Sequence, residues 1–348
     1  MTMPPHPDTS IGDRAPTLPL LPEPRFVETN GMRLAVYEAR PARPTRDVCI
    51  VLCHGFPELA ASWRHQLRPL ADAGFHVLAP DLRGYGRSTG PEDPESFHIG
   101  ETTADIVGLI DDAGYERAVI VGHDFGGMLS WCTPQLHPER VAGVITLNTP
   151  YGFSVEGPLA ANERAFGPRN YVAHYQTADA QQLMERDPAR TFRFFFRRDA
   201  GHGTTLSTTG VQDADTMAYS HRLADDEADW AGEVLLDDDE LDYYAETFAR
   251  TGFGGPLGWY RSLEATSRIQ NERLHPDGRV QRITVPTLLI AARKDAVCHP
   301  DRTDGMLQFV ETLERRIIDT GHWTQREDPE GVNRIMLEWL DRWFPAAG

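Results

Sequence analysis

Along the first part of the chain, short apolar runs alternate with longer helical stretches. Residues 48–52, 75–79, 118–121 and 141–147 are almost wholly apolar, and 287–291 and 316–318 resume the pattern near the end. Runs of that length read as strands buried on both faces, and their alternation with helices predicts a mostly parallel sheet covered by helices on both sides. Residues 25–28 and 34–37 add a hairpin around Asn30-Gly31, a dipeptide suited to a tight turn. That makes about eight strands.

The alternation breaks between residues 151 and 283. This interval is largely helical, with an aromatic cluster (Phe192, Phe194, Phe195, Phe196), a Gly/Thr/Ser-rich loop over 201–210, and the acidic run Asp237-Asp238-Asp239-Glu240, read as a solvated helix start. The flanking runs would both be central strands, so the interval is an excursion from one domain. The expected layout is an α/β core over 25–150 and 284–348, a helical cap over 151–283 between the sixth and seventh strands, and a flexible, proline-rich leader over 1–24.

Bulk properties narrow the partners. The 348 residues carry a net charge of −18, from 52 acids against 34 bases, which disfavours nucleic acid and anionic membrane surfaces. No apolar stretch approaches the length of a membrane span, and the N-terminus lacks the basic and apolar regions of a secretory signal. Four cysteines (Cys49, Cys53, Cys132, Cys298) show neither a C-x-x-C pair nor zinc-ligand spacing, so they read as reduced thiols in a cytoplasmic protein without metal or cofactor. Self-association into a homo-oligomer is left open.

In parallel sheets, ligands bind beyond the carboxyl ends of the strands. Those ends carry His54-Gly55-Phe56-Pro57, Asp81-Leu82-Arg83-Gly84, Asp124, Asn148-Thr149-Pro150, Asp295 and His322. The segment Gly122-His123-Asp124-Phe125-Gly126 is a G-x-nucleophile-x-G elbow with Asp where Ser is usual. The change alters the chemistry. A carboxylate is already ionised at neutral pH, so it attacks a strained or activated sp3 carbon without a base, and the resulting ester must then be hydrolysed.

The order nucleophile, acid, histidine is met by Asp124, Asp295 and His322. His322 is expected to activate water and Asp295 to hold the imidazole, with Asp301, Asp304 and Asp319 as rival acids. The backbone amides of Phe56 and Phe125 fall where an oxyanion hole is built, and His54 is read as a brace for its loop.

With those motifs and the terminal Gly321-His322-Trp323, nearly all of the chain from about residue 25 resembles the soluble epoxide hydrolases of the α/β-hydrolase fold. The segments 170–176 and 258–261 resemble that family's two cap-tyrosine segments, with the matches on Tyr171 and Tyr260. The resemblance implies that these phenols polarise an epoxide oxygen and protonate the alkoxide, giving a vicinal diol from a small apolar epoxide and water. A role in detoxification goes with it. Tyr175 and Trp323 are expected in the substrate pocket. Two alternatives are weighed. Haloalkane dehalogenases share the Asp nucleophile but usually follow it with Trp, a halide donor that Phe125 cannot replace. A non-catalytic small-molecule receptor would have no use for the full set of groups.

Overall fold

The computed structural model describes residues 16–151, 157–198, 217–276, 279–295 and 298–346. Most of the expected leader and the whole of the expected 201–210 loop lie outside them. One sheet of eight strands organises the core. In chain order these are β1 (Arg25–Thr29), β2 (Met32–Ala39), β3 (Cys49–Cys53), β4 (His76–Pro80), β5 (Ala118–His123), β6 (Val141–Leu147), β9 (Thr287–Ala292) and β10 (Leu313–Ile318). The two short strands between, β7 (Arg197–Arg198) and β8 (Glu233–Val234), pair only with each other.

The spatial order is β1-β2-β4-β3-β5-β6-β9-β10. Only the β1–β2 and β2–β4 pairs are antiparallel, and the rest of the ladder is parallel. The β1–β2 turn has both Asn30 and Gly31 at positive φ, the conformation of a two-residue hairpin.

Both faces of the central strands are buried, which explains the unbroken apolar runs. Side chains alternate between two cores. Ile50, Leu52, Val119, Val121, Ile145 and Ile290 face one side with Leu67 and Leu70 of α1 (Arg64–Asp72) and with Val332, Met336, Trp339 and Leu340 of the C-terminal helix Pro329–Trp343. Val51, Cys53, Ile120, Val144 and Leu289 face the other with Ile106 and Leu109 of α2 (Ile99–Asp112) and Leu129 of α3 (Phe125–Leu136).

The last strand starts three residues before its expected position. Its first residues, Leu313-Glu314-Arg315-Arg316, are mostly polar, the first two half-buried and the arginines exposed, because β10 is a sheet edge.

The helices between β6 and β9 are α4 (Pro158–Phe166), α5 (Tyr171–His174), α6 (Ala178–Glu185), α7 (Pro188–Phe195), α8 (Asp238–Thr251), α9 (Gly254–Arg261) and α10 (Leu263–Ile269). They are joined to the core by aromatic packing and a few polar ties. The Trp259 indole N–H donates to the Arg83 carbonyl at 3.1 Å, and Trp323 stacks on Phe196 with ring centroids 4.3 Å apart.

The acidic run does start a helix, with Asp237 as N-cap and a reciprocal capping box with Glu240. Only part of it is solvated. Glu240 is buried and paired with Arg64 and Arg326. The expectation of a wholly solvated run fails here because these two buried guanidinium groups need a counter-charge. No helix of the described residues is long and apolar enough to cross a membrane.

Candidate active site

Asp124 stands between β5 and α3 with φ 54° and ψ −118°, a strained backbone that lifts its side chain above the sheet's carboxyl edge. Such a turn brings backbone into contact with backbone. A Cβ on Gly122 would lie 1.9 Å from the Gly126 carbonyl oxygen, and one on Gly126 would lie 1.9 Å from that of Cys53. Only glycine fits at either place.

The loop after β3 passes directly over Asp124, so that a Cβ on Gly55 would sit 2.3 Å from the Asp124 Cβ. That approach lets the Phe56 amide donate to Asp124 Oδ1 at 2.8 Å, and the Phe125 amide at the start of α3 also donates to the carboxylate. The N-terminal end of α3 adds a favourable dipole. Burial raises the Asp124 pKa, and His322, His123 and the two amides oppose it without cancelling it.

His322 follows β10. Its Nδ1 bonds Asp295 Oδ2 at 2.8 Å, and its Nε2 lies 3.9 Å from Asp124 Oδ2. Asp295 follows β9 and is itself fixed by the Asn148 amide at 2.7 Å and the Cys298 backbone N–H at 2.9 Å. Burial would raise the Asp295 pKa, but the charge and hydrogen bond of His322 override it and hold the carboxyl below its ordinary range. Burial would likewise depress His322, but the charges of Asp295 and Asp124 push it up to about 9.

The rival acids stand elsewhere. Asp319 pairs with Lys294, Asp304 with Arg315 and Asp301 with His299, all with exposed carboxylates.

Tyr171 on α5 and Tyr260 on α9 reach the same cavity from the opposite side, their rings 5.9 Å apart. Both line the space above Asp124 together with Phe56, Phe195, Tyr219, His322 and Trp323. Burial, then the nearby Asp124 charge, raises the Tyr260 pKa well above its ordinary value, so this phenol keeps its proton at any working pH.

Tyr175 is fully buried. Its ring lies 4.7 Å from that of Tyr260 and its hydroxyl donates to Tyr219 at 3.4 Å, so it braces the tyrosine wall from behind. Trp323 does bound the cavity, but its indole N–H is engaged by the Phe195 carbonyl at 2.8 Å. It is therefore committed to a protein acceptor, as Trp259 is to Arg83.

Three neighbours carry more than the sequence revealed. Asn148 follows β6 and orients Asp295 with its side-chain amide N–H, while the oxygen of the same side chain accepts from the Thr324 hydroxyl. Its position at a strand end was visible, but its partner was not. Glu58 is buried, accepts from the Gly55 amide and Gln325, and bonds His123, whose other nitrogen reaches the His322 carbonyl at 2.7 Å. Tyr219 comes from a stretch with no periodic pattern, and nothing in the sequence singles it out.

His54 braces its loop as expected, with Nε2 accepting from the Leu82 amide. Asp81 and Arg83 end the next strand but do not join the site. Asp81 caps backbone amides of Ala60 and Arg87, and Arg83 forms a two-pronged pair with Asp105.

Comparison with known proteins agrees with this geometry. The family model described as alpha/beta hydrolase fold matches residues 48–329. Epoxide hydrolase A of Mycobacterium tuberculosis is 40% identical over 328 residues, covering 92% of this chain and 97% of that protein. Bifunctional epoxide hydrolase 2 of Sus scrofa is 36% identical over 298 residues, and the match spans about half of that longer protein, 51% of its length. Among solved structures, epoxide hydrolase A from Mycobacterium thermoresistibile superposes with a TM-score of 0.79 at 36% identity, covering 93% of this chain and 99% of that one.

Proposed function

The chain belongs to the epoxide hydrolases of the α/β-hydrolase fold, and on that premise we propose how its own residues convert an epoxide and water into a vicinal diol. The observation that carries the reading is a space bounded by a carboxylate nucleophile on one side and two tyrosines on the other, where a larger and a smaller lobe meet. An epoxide held there has its oxygen against the Tyr171 and Tyr260 hydroxyls and a ring carbon against Asp124.

One carboxylate oxygen of Asp124 attacks that carbon. The carbon–oxygen bond breaks, and the alkoxide takes a proton from a tyrosine, giving a neutral hydroxyalkyl ester. The Asp124 oxygen held by the Phe56 amide becomes the ester carbonyl. The resting His322 imidazolium gives its proton to the tyrosinate, and the neutral imidazole then takes a proton from water, the hydroxide adds to the ester carbon, and the amides of Phe56 and Phe125 hold the oxyanion. Collapse expels the diol as an alkoxide that takes the proton of the newly formed acid, leaving the Asp124 carboxylate beside the His322 imidazolium of the resting state. Asp295 offsets the imidazolium charge throughout.

The helices between β6 and β9 serve as a cap, since they deliver both phenols and cover the Asp124 carboxylate. A halide-releasing alternative has less support. It needs free N–H donors beside the nucleophile, and the indoles of Trp259 and Trp323 already donate to carbonyls.

A single turnover with excess enzyme in heavy-oxygen water tests the ester. The label is expected in the Asp124 carboxylate and not in the first diol, because water attacks the ester carbonyl. Label in the first-turnover diol would instead show direct attack of water on the ring and end the covalent reading. Asp124→Ala is expected to give no diol in the same assay.

A further inference from the structure

Two lobes of very unequal size meet at the Asp124 carboxylate, and Tyr171 and Tyr260 border both. The larger is about 290 Å³ and runs past Phe125, Met128 and Leu263 toward Asn162 and Phe166. Asn162, Phe166 and Leu263 are only half-buried, so this lobe leads to the surface. The smaller is about 20 Å³ and lies between Phe56, Phe195, Tyr219, His322 and Trp323.

An epoxide whose oxygen is held by the two phenols sits at the junction. Substituents placed trans on its two carbons point to opposite sides, one into each lobe. The larger lobe is near the lower end of ordinary ligand sites, roughly 300 Å³, enough for one ring or a short chain. The smaller has room for little more than one water, which needs roughly 10–15 Å³ measured the same way.

That water has a use. His322 lines the smaller lobe, so a water within its reach would stand there, and a bulky group in its place would block ester hydrolysis as well as binding.

The walls also differ in compliance. Around the small lobe Phe56 packs on Phe195 at 5.7 Å between centroids, Phe195 on Tyr219 at 6.4 Å, and Trp323 is pinned by its bond to the Phe195 carbonyl and its stack on Phe196. Close-packed aromatic walls do not yield without cost. The large lobe is bordered by Met128, Met217 and Leu263, side chains that adjust to a guest. None of its described lining residues is cationic, which suits a neutral substituent.

We infer that the substrates are terminal epoxides bearing one neutral, apolar group the size of an aryl ring or short alkyl chain, and that epoxides with bulky groups trans on both carbons are excluded. This rests on the epoxide hydrolase reading above.

The test is diol formation by the wild-type protein from styrene oxide, 1,2-epoxyhexane and trans-stilbene oxide, assayed in parallel. The first two are expected to be turned over, with kcat/KM for trans-stilbene oxide lower by about 100-fold or more. Comparable rates for styrene oxide and trans-stilbene oxide would overturn the inference and leave the hydrolase reading intact. No diol from any of the three would also overturn the inference, and the hydrolase reading falls with it only if the heavy-oxygen label fails to enter Asp124 with every epoxide tried. Phe195→Leu keeps the backbone carbonyl that holds Trp323 and enlarges only the small lobe, so it should raise the ratio of trans-stilbene oxide to styrene oxide turnover by about 10-fold. A folded variant with an unchanged ratio would show that this wall does not set the selectivity.

Discussion

A carboxylate nucleophile and an imidazole base 3.9 Å apart make opposite demands on one neighbourhood. Asp124 must be ionised for the first half-reaction, and its charge is one of those that push His322 up to about 9. The resting pair is therefore carboxylate and imidazolium at neutral pH. Ester formation removes the Asp124 charge and leaves a tyrosinate, which takes the imidazolium proton, so the imidazole becomes a base only once there is an ester to hydrolyse. His322→Gln should consequently still open epoxides but slow ester hydrolysis by about 10²–10⁴-fold, and mass spectrometry should find protein plus substrate on the Asp124 peptide. The same variant carries a stability prediction. His322 has a folded pKa above its ordinary value of 6.5, so its contribution is complete below that value and is lost as pH rises through about 9. Asp295 is depressed below 3.8, so its contribution holds above that value and is lost only on further acidification. Wild type should exceed His322→Gln in thermal stability at pH 6, by up to about 3 kcal/mol, and the gap should close toward pH 10. A gap that stays constant over that range would mean the His322 charge is not held as described.

At the scale of elements, the strand ends were the most legible part of the site, because a chemistry-bearing residue directly after an apolar run has few structural reasons to be there. Asp124, Asp295 and His322 were found that way. Partners supplied by other elements were not, since Asn148 is 147 positions from the Asp295 it orients. Tyr219 follows no pattern at all. The acidic run shows the limit most clearly. Its helix-start role followed from composition, but the burial of Glu240 depends on Arg64 at the start of α1 and on Arg326 in the short helix after His322. This triad ties the N-terminus of α8 to the core. Arg326 also lies over the rings of Phe196 and Tyr244, so little water can replace a lost partner. Glu240→Gln should therefore leave two buried guanidinium groups facing each other and cost about 3–5 kcal/mol. The exposed neighbour change Asp239→Asn should stay within about 0.5 kcal/mol. Thermal unfolding of the two variants beside wild type decides it, and equal melting temperatures would show that the triad does not anchor α8.

At the scale of the whole molecule, the fold class was readable because the sheet is buried on both faces and helices cover both sides, which forces apolar runs with little alternation. Edge strands obey weaker rules, and β10 was accordingly read from its last three residues only. Net charge bears on the molecule but not on the fold. An excess of 18 negative charges repels itself across the surface at low salt, where the screening length is roughly 30 Å at 0.01 M, and far less at 1 M, where it is roughly 3 Å. Added salt should therefore raise the melting temperature by a few degrees between about 0.02 and 0.5 M sodium chloride. The reaction should behave differently. A neutral epoxide feels no long-range pull from that charge, and the groups that act on it lie in a cavity where ions do not follow, so kcat/KM for styrene oxide should change by less than about two-fold over the same range. Stability that rises with salt while kcat/KM stays flat separates a surface property from a site property. A steep salt dependence of kcat/KM would instead show that an exposed charge takes part in substrate entry, most directly at the half-buried mouth of the larger lobe beside Asn162 and Phe166.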